Sequence, residues 1–238
     1  VASGLPTDAT YRQYPFMMQP ASHRQGLSMT DPAPPSQPAV DPALIARVRG
    51  ILMQPKAEWQ VIDREFATTN SLYTRYALIL AAIGPIATLI ASVAFGHASI
   101  VSALILAVLS YVLGLVGVFI LGLIINALAS SFGGQPNPVQ AQKLAVYSYT
   151  AAWVAGIANL IPVLGGLIAL VGAIYSLVLL FLGLPILMKV PEDKKVVYYI
   201  VILVAGLVLG IIASAIVGAV AVAFVASTAG MAALTGGY

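Results

Sequence analysis

Between residues 76 and 226 the chain falls into five apolar segments, at roughly 76–94, 99–132, 144–161, 163–188 and 196–226, none with an Asp, Glu, Lys or Arg. A hydrocarbon layer about 30 Å thick takes roughly 20 helical residues to cross. Inside it every backbone polar group must be satisfied within the fold, so each segment is expected to be a helix. The second is too long for a perpendicular crossing and should tilt or project. Charged residues make up only 8% of the chain and hydrophobic ones 60%, whereas a soluble domain carries about 25% charge and could not cover its surface with so little. The expected fold is all-α: a polytopic membrane protein with five transmembrane helices.

The flanks read differently. Residues 1–40 are polar and rich in Pro, Ser and Gln, with no apolar core of signal-peptide length, and disorder is expected there. Met29 stands as a candidate natural start. Residues 41–75 form a cytoplasmic segment opened by Asp41 as N-cap and Pro42 in the first turn. Leu52, Pro55, Trp59, Ile62 and Phe66 make one apolar stripe, with Glu58, Asp63 and Glu65 on other faces. This predicts an amphipathic helix in the headgroup region, anchored by Trp59 with Arg47, Arg49, Lys56 and Arg64. A helix packed on its own protein reads from the same stripe. The last stretch, 228–238, has no charge and is expected to be a flexible tail after a membrane domain spanning 76–227.

The eleven basic residues lie at segment ends, not in a patch. That pattern excludes a nucleic-acid surface and orients the helices instead. Arg47, Arg49, Lys56, Arg64, Arg75, Lys143, Lys189, Lys194 and Lys195 all fall on one side if the amino terminus is cytoplasmic and the carboxyl terminus is outside.

Small residues recur at intervals of four. Gly165, Ala169 and Ala173 mark one seam, Gly206, Gly210, Ser214 and Gly218 another. Such seams let helices approach closely in a bilayer. Pro162 followed by Gly165 and Gly166 predicts a tight turn that makes the third and fourth segments an antiparallel hairpin. Gly84-Pro85 and Gly183 with Pro185 predict kinks. No ionisable group falls near mid-membrane, which argues against a coupled pump. His97 sits alone in a short turn without a second metal ligand, and Asn126 and Asn159 are the intramembrane polar candidates. No catalytic residue, cofactor site or metal site is expected: no nucleophile elbow or phosphate-cradling glycine loop occurs, and without cysteine there is no thiolate chemistry.

Three features taken together carry a family resemblance. They are a "P-x-x-E-W-x-x-I-x-x-E" opening at Pro55, Glu58, Trp59, Ile62 and Glu65, the "AAIGPIA" of the first apolar segment, and the run from "YSYTAAWVAGIANLIPVLGG" to "KVPEDKKVVYYIVIL". The chain resembles the Yip membrane family, the Ypt/Rab-interacting proteins, in its small bacterial branch. The resemblance implies five spanning helices with a cytoplasmic amino terminus, in a bacterial inner membrane. In it the tyrosine-to-proline stretch corresponds to Tyr147, Tyr149, Gly156, Pro162, Gly165, Tyr175, Gly183 and Pro185. Eukaryotic relatives are associated with Rab GTPases and vesicle traffic, but a bacterium offers no prenylated Rab partner, and a fold does not transfer a function. The expectation is a non-enzymatic scaffold or accessory subunit, packing against other membrane proteins or itself, in contact with membrane lipids. The alternative is passive translocation of lipid or a small neutral solute through the Gly84-Pro85 and Gly183-Pro185 region.

Overall fold

The computed structural model of the protein describes residues 42–96, 99–161 and 163–235, with side chains to 227. The 1–40 tail with Met29, Asp41, His97 and Pro162 lie outside the described residues. Two short helices come first, α1 (Pro42–Met53) and α2 (Pro55–Arg64). Pro55 occupies the first turn of α2, where its missing N–H costs nothing, and so divides the stretch into two helices. A capping box follows, in which Thr68 Oγ1 accepts from the Ser71 N–H at 3.1 Å, and it opens α3 (Thr69–Ala94). Next come α4 (Ile100–Leu128), capped by Ser99, then α5 (Pro138–Ser148), α6 (Thr150–Ala155), α7 (Leu164–Met188) and α8 (Glu192–Thr235).

Four of these, α3, α4, α7 and α8, are long and apolar enough to cross a membrane. The third expected segment is not one uninterrupted helix. It begins earlier, at Pro138, where Asn137 Oδ1 accepts from the N–H groups of Val139 and Gln140 at 3.1 Å. It lapses at Tyr149, whose N–H bonds Val146 O at 3.2 Å, while the Thr150 hydroxyl donates to Tyr147 O at 2.7 Å. These local bonds compete with the regular ladder, and the chain finishes as α6 and a tight 3₁₀ turn, Gly156–Leu160.

That broken segment still pairs with α7 from end to end. Leu144 meets Gly183, Ala151 and Ala155 meet Gly172, and Ala158 meets Gly165, which makes the expected antiparallel hairpin. On the other side of the segment, Gly156 lies so close to Gly84 of α3 that a Cβ on it would stand 2.9 Å from the Gly84 Cα. The α3 helix widens to a π-helix over Tyr73–Ala77 and lapses again at Ala82, four residues before the Ile86 N–H that bonds Ala82 O, because Pro85 supplies no donor. By contrast α7 runs through Pro185 unbroken, so the kink expected at Gly183 and Pro185 does not interrupt the helix.

Outward faces are apolar. Ile90 is 52% exposed on α3, Leu104 51% on α4, Val171 66% on α7 and Leu207 64% on α8. Faces like these, on helices long and apolar enough to cross a membrane, suit a lipid surrounding. The protein is an all-helical membrane protein.

Candidate functional site: the seat of the charged hairpin

Every Asp, Glu, Lys and Arg among the described residues gathers at one end of the bundle, where α1 and α2 dock on α5 and α7. The docking is built around Trp59. It is fully buried, edge-on to Tyr147 with ring centroids 6.4 Å apart, and Tyr147 is in turn edge-on to Tyr76 at 4.7 Å. What admits the indole is Gly183: a Cβ there would lie 2.7 Å from Trp59 Cε2 and from Leu144 Cδ1. Gly183 is thus a notch in α7 that seats Trp59, and the interfacial-anchor reading of this tryptophan is corrected. The apolar stripe turns inward because α7 and α5 offer an apolar surface that removes all of the indole from water and headgroups.

Arg47 is also turned inward. Its guanidinium bridges Glu58 and Glu65 and lies 5.6 Å from the Tyr147 ring centroid. It joins α1 to α2 and to the end of α2, and its two carboxylate partners displace the lipid phosphates expected for it. Arg49, Lys56 and Arg64 are exposed. Exposed beside them are Met53 at 74% and Phe66 at 91%.

Beneath the hairpin lies a cation that the charge pattern puts only at a segment end. Lys143, 3% exposed, donates from Nζ to Ile62 O at 2.8 Å and Glu65 O at 2.6 Å. It therefore closes the last carbonyls of α2, where a helix dipole favours a positive charge. Next to it Gln140 donates to Asp63 O and Oδ1 at 2.9 and 3.1 Å, and Lys189 pairs with the other Asp63 oxygen at 2.5 Å. Gln142 accepts from the Tyr73 hydroxyl at 2.9 Å and donates to Phe119 O at 3.0 Å, tying α3, α4 and α5 together. The sequence signal for these residues was the polar run "QAQK" directly before an apolar one.

Other expected residues are dispersed. Gly165 is buried in the turn of the hairpin, but Ala169 is only partly covered and Ala173 is exposed. The seam that α7 buries runs instead through Gly165, Gly172, Ser176 and Gly183. On α8 only Gly206 meets a neighbour, Leu121 at 3.8 Å, while Gly210 and Gly218 face open space and Ser214 is exposed. Asn159 donates to Thr88 Oγ1 at 3.2 Å, far from the charged end, and Asn126 Oδ1 is buried without a hydrogen-bond partner. No group of three or more potential metal ligands occurs among the described residues.

The hairpin seat coincides with the motif residues. Pro55, Glu58, Trp59, Ile62 and Glu65 all belong to α2 and its end, and Trp59 among them docks on Tyr147 and Gly183. Tyr175 adds a bond from its hydroxyl to Leu52 O at 2.8 Å. The chain is 32% identical over 162 residues to the inner membrane protein YohC of Escherichia coli (strain K12), covering 63% of this chain and 83% of that protein. The YohC of Escherichia coli O6:H1 matches to the same extent. No solved structure matches. The Yip1 domain matches residues 49–214, which include the hairpin's α2 and its whole seat, and the chain belongs to the Yip1 domain family.

Proposed function

We propose that this protein is a non-enzymatic scaffold or accessory subunit of a bacterial inner membrane, which docks a membrane helix of another protein, or of a second copy, on the free face of α8. The observation that carries this reading is the seam at Gly210, Ser214 and Gly218, which meets nothing in the rest of the protein among the described residues. Had it served only internal packing it would be covered, as Gly165 and Gly172 are. In lipid, small residues in register favour close helix contact with a partner. The inner membrane is suggested by the name of the YohC relative.

The proposed topology has five crossings, with the hairpin and amino terminus cytoplasmic. Residues 138–160 pair with α7 over its full length, and at 1.5 Å per residue that stretch reaches roughly 34 Å, enough for the hydrocarbon layer. The basic residues of the described chain, Arg47 to Arg75, Lys143 and Lys189 to Lys195, all fall on the cytoplasmic side in this orientation.

The test is Gly210→Leu. Because the site touches nothing internally, thermal stability in detergent should stay within about 0.5 kcal/mol of wild type. Crosslinking in native membranes should lose its higher-mass adduct, whether with a partner or a second copy. Unchanged adducts with unchanged stability would refute the docking face.

A further inference from the structure

We propose that the groove between α4, α5, α7 and α8 binds one glycerophospholipid, with an acyl chain in the groove, an ester carbonyl on Ser148 and the phosphate at Lys195. The groove encloses about 420 Å³, and its walls include Leu121, Ala173, Leu180, Ile202 and Gly206. That volume is within the roughly 300–1,000 Å³ of small-molecule sites. No charged side chain lines it, so whatever lies inside must be neutral and largely apolar. A helix with its side chains, about 10–12 Å across, is too thick to enter; a chain of methylenes is not.

The wall carries an unmet polar group. Ser148 lines the groove, is 2% exposed, and its Oγ has no hydrogen-bond partner. A helical serine ordinarily returns its proton to a carbonyl one turn earlier, and leaving it unpaired in an apolar setting costs free energy. Tyr149 lines the same groove, and its hydroxyl makes no hydrogen bond among the described residues. Two adjacent donors without acceptors suit an occupant that brings acceptors and no donors. A lipid ester is such a group, and it is present at high concentration beside the groove.

Lys195 supplies the third point. It stands seven residues before the wall residue Ile202 on α8. That is two turns, about 10 Å, toward the charged end on the same face. Its Nζ lies 4.4 Å from the centre of the ring of Phe181, the residue after the wall residue Leu180. Its ion pair is a loose one, 3.4 Å to Glu192, whose own side chain is 80% exposed. With only that loose pair, the ammonium keeps donors for a phosphate at the charged end of the groove. The α7–α8 wall beneath it is held by the Tyr199 hydroxyl, which donates to Leu177 O at 3.0 Å.

Native mass spectrometry of the full chain, purified from membranes in a mild detergent, reads the occupant as added mass. Wild type should keep one phospholipid per chain after the outer lipid is stripped. Ala173→Trp, which fills the groove, should abolish that mass. Ser148→Ala should weaken retention about threefold, the effect of one modest hydrogen bond in a membrane. Lys195→Gln should lose phospholipid yet still take up added dipalmitoylglycerol, which separates the phosphate contact from the acyl and ester contacts. Equal phospholipid retention by wild type and Ala173→Trp would overturn the proposal, since the lipid would then be annular. A dimer without lipid mass that Ala173→Trp converts to monomer would overturn it too, assigning the groove to a second copy. Should Ala173→Trp fail to fold by circular dichroism, unchanged retention in both Ser148→Ala and Lys195→Gln would refute it. The proposal is independent of the α8 docking face, because Gly210 lies outside the groove, and Gly210→Leu should leave the lipid mass unaltered.

Discussion

A single methyl group at Gly183 should unseat the charged hairpin. In Gly183→Ala the new Cβ would lie 2.7 Å from Trp59 Cε2, 2.8 Å from Cζ2 and 2.7 Å from Leu144 Cδ1. Ordinary carbon contacts are about 3.5–4.0 Å, so the two helices must part by several tenths of an ångström or the indole must leave its rotamer. Overpacking of this kind costs about 1–3 kcal/mol. For a chain of this size about 2 kcal/mol corresponds to a fall in Tm of roughly 4–8 °C. The assay is thermal unfolding in detergent followed by circular dichroism at 222 nm, with Trp59 fluorescence as a second reading in variants that keep it. Trp59→Leu alone should also destabilise, since a fully buried indole is truncated and leaves a void. The double variant is the decisive sample. Its cost should fall at least ~1 kcal/mol short of the sum of the two single costs, because the smaller side chain removes the clash. Strict additivity, or a Gly183→Ala protein as stable as wild type, would refute the notch-and-indole account.

Lys143→Met should cost about 1–3 kcal/mol, because the carbonyls of Ile62 and Glu65 lose a buried donor; hydrogen exchange confined to the end of α2 should accelerate. Val163 opens α7 with φ of 69° and ψ of −54°, a backbone region costly for a β-branched residue. Val163→Gly should raise stability by about 1 kcal/mol, read as a Tm increase of roughly 2–4 °C.

The membrane class, the helical fold, the hairpin of the third and fourth segments and the family were legible in the chain itself. Uncharged runs of this length state their solvent, and the solvent dictates the backbone geometry. The P-x-x-E-W motif could be recognised but not explained, because its explanation is a contact with Gly183 more than a hundred residues away. Amphipathicity told that Trp59 had an apolar side; it could not tell whether lipid or α7 would cover it. Arg47 was misplaced for the same reason, since a cation near a membrane suits phosphate and carboxylate alike, and only the docking of α1 on α2 brought Glu58 and Glu65 to it.

Within the membrane the limit is sharper. A helix apolar on every face carries no periodic signal of which face is buried, so intervals of four predicted seams without assigning them. Tertiary structure decided that α7 closes on Gly172 and Gly183 while Gly210 and Gly218 of α8 stay open to the bilayer. It also decided that the third segment would break at Tyr149, where the Thr150 hydroxyl takes a backbone carbonyl, and leave Ser148 without a partner at the wall of a groove. Sequence determined the solvent and the elements because both depend on local composition; the pairing of surfaces depends on residues far apart in the chain, and only the folded arrangement brings them together.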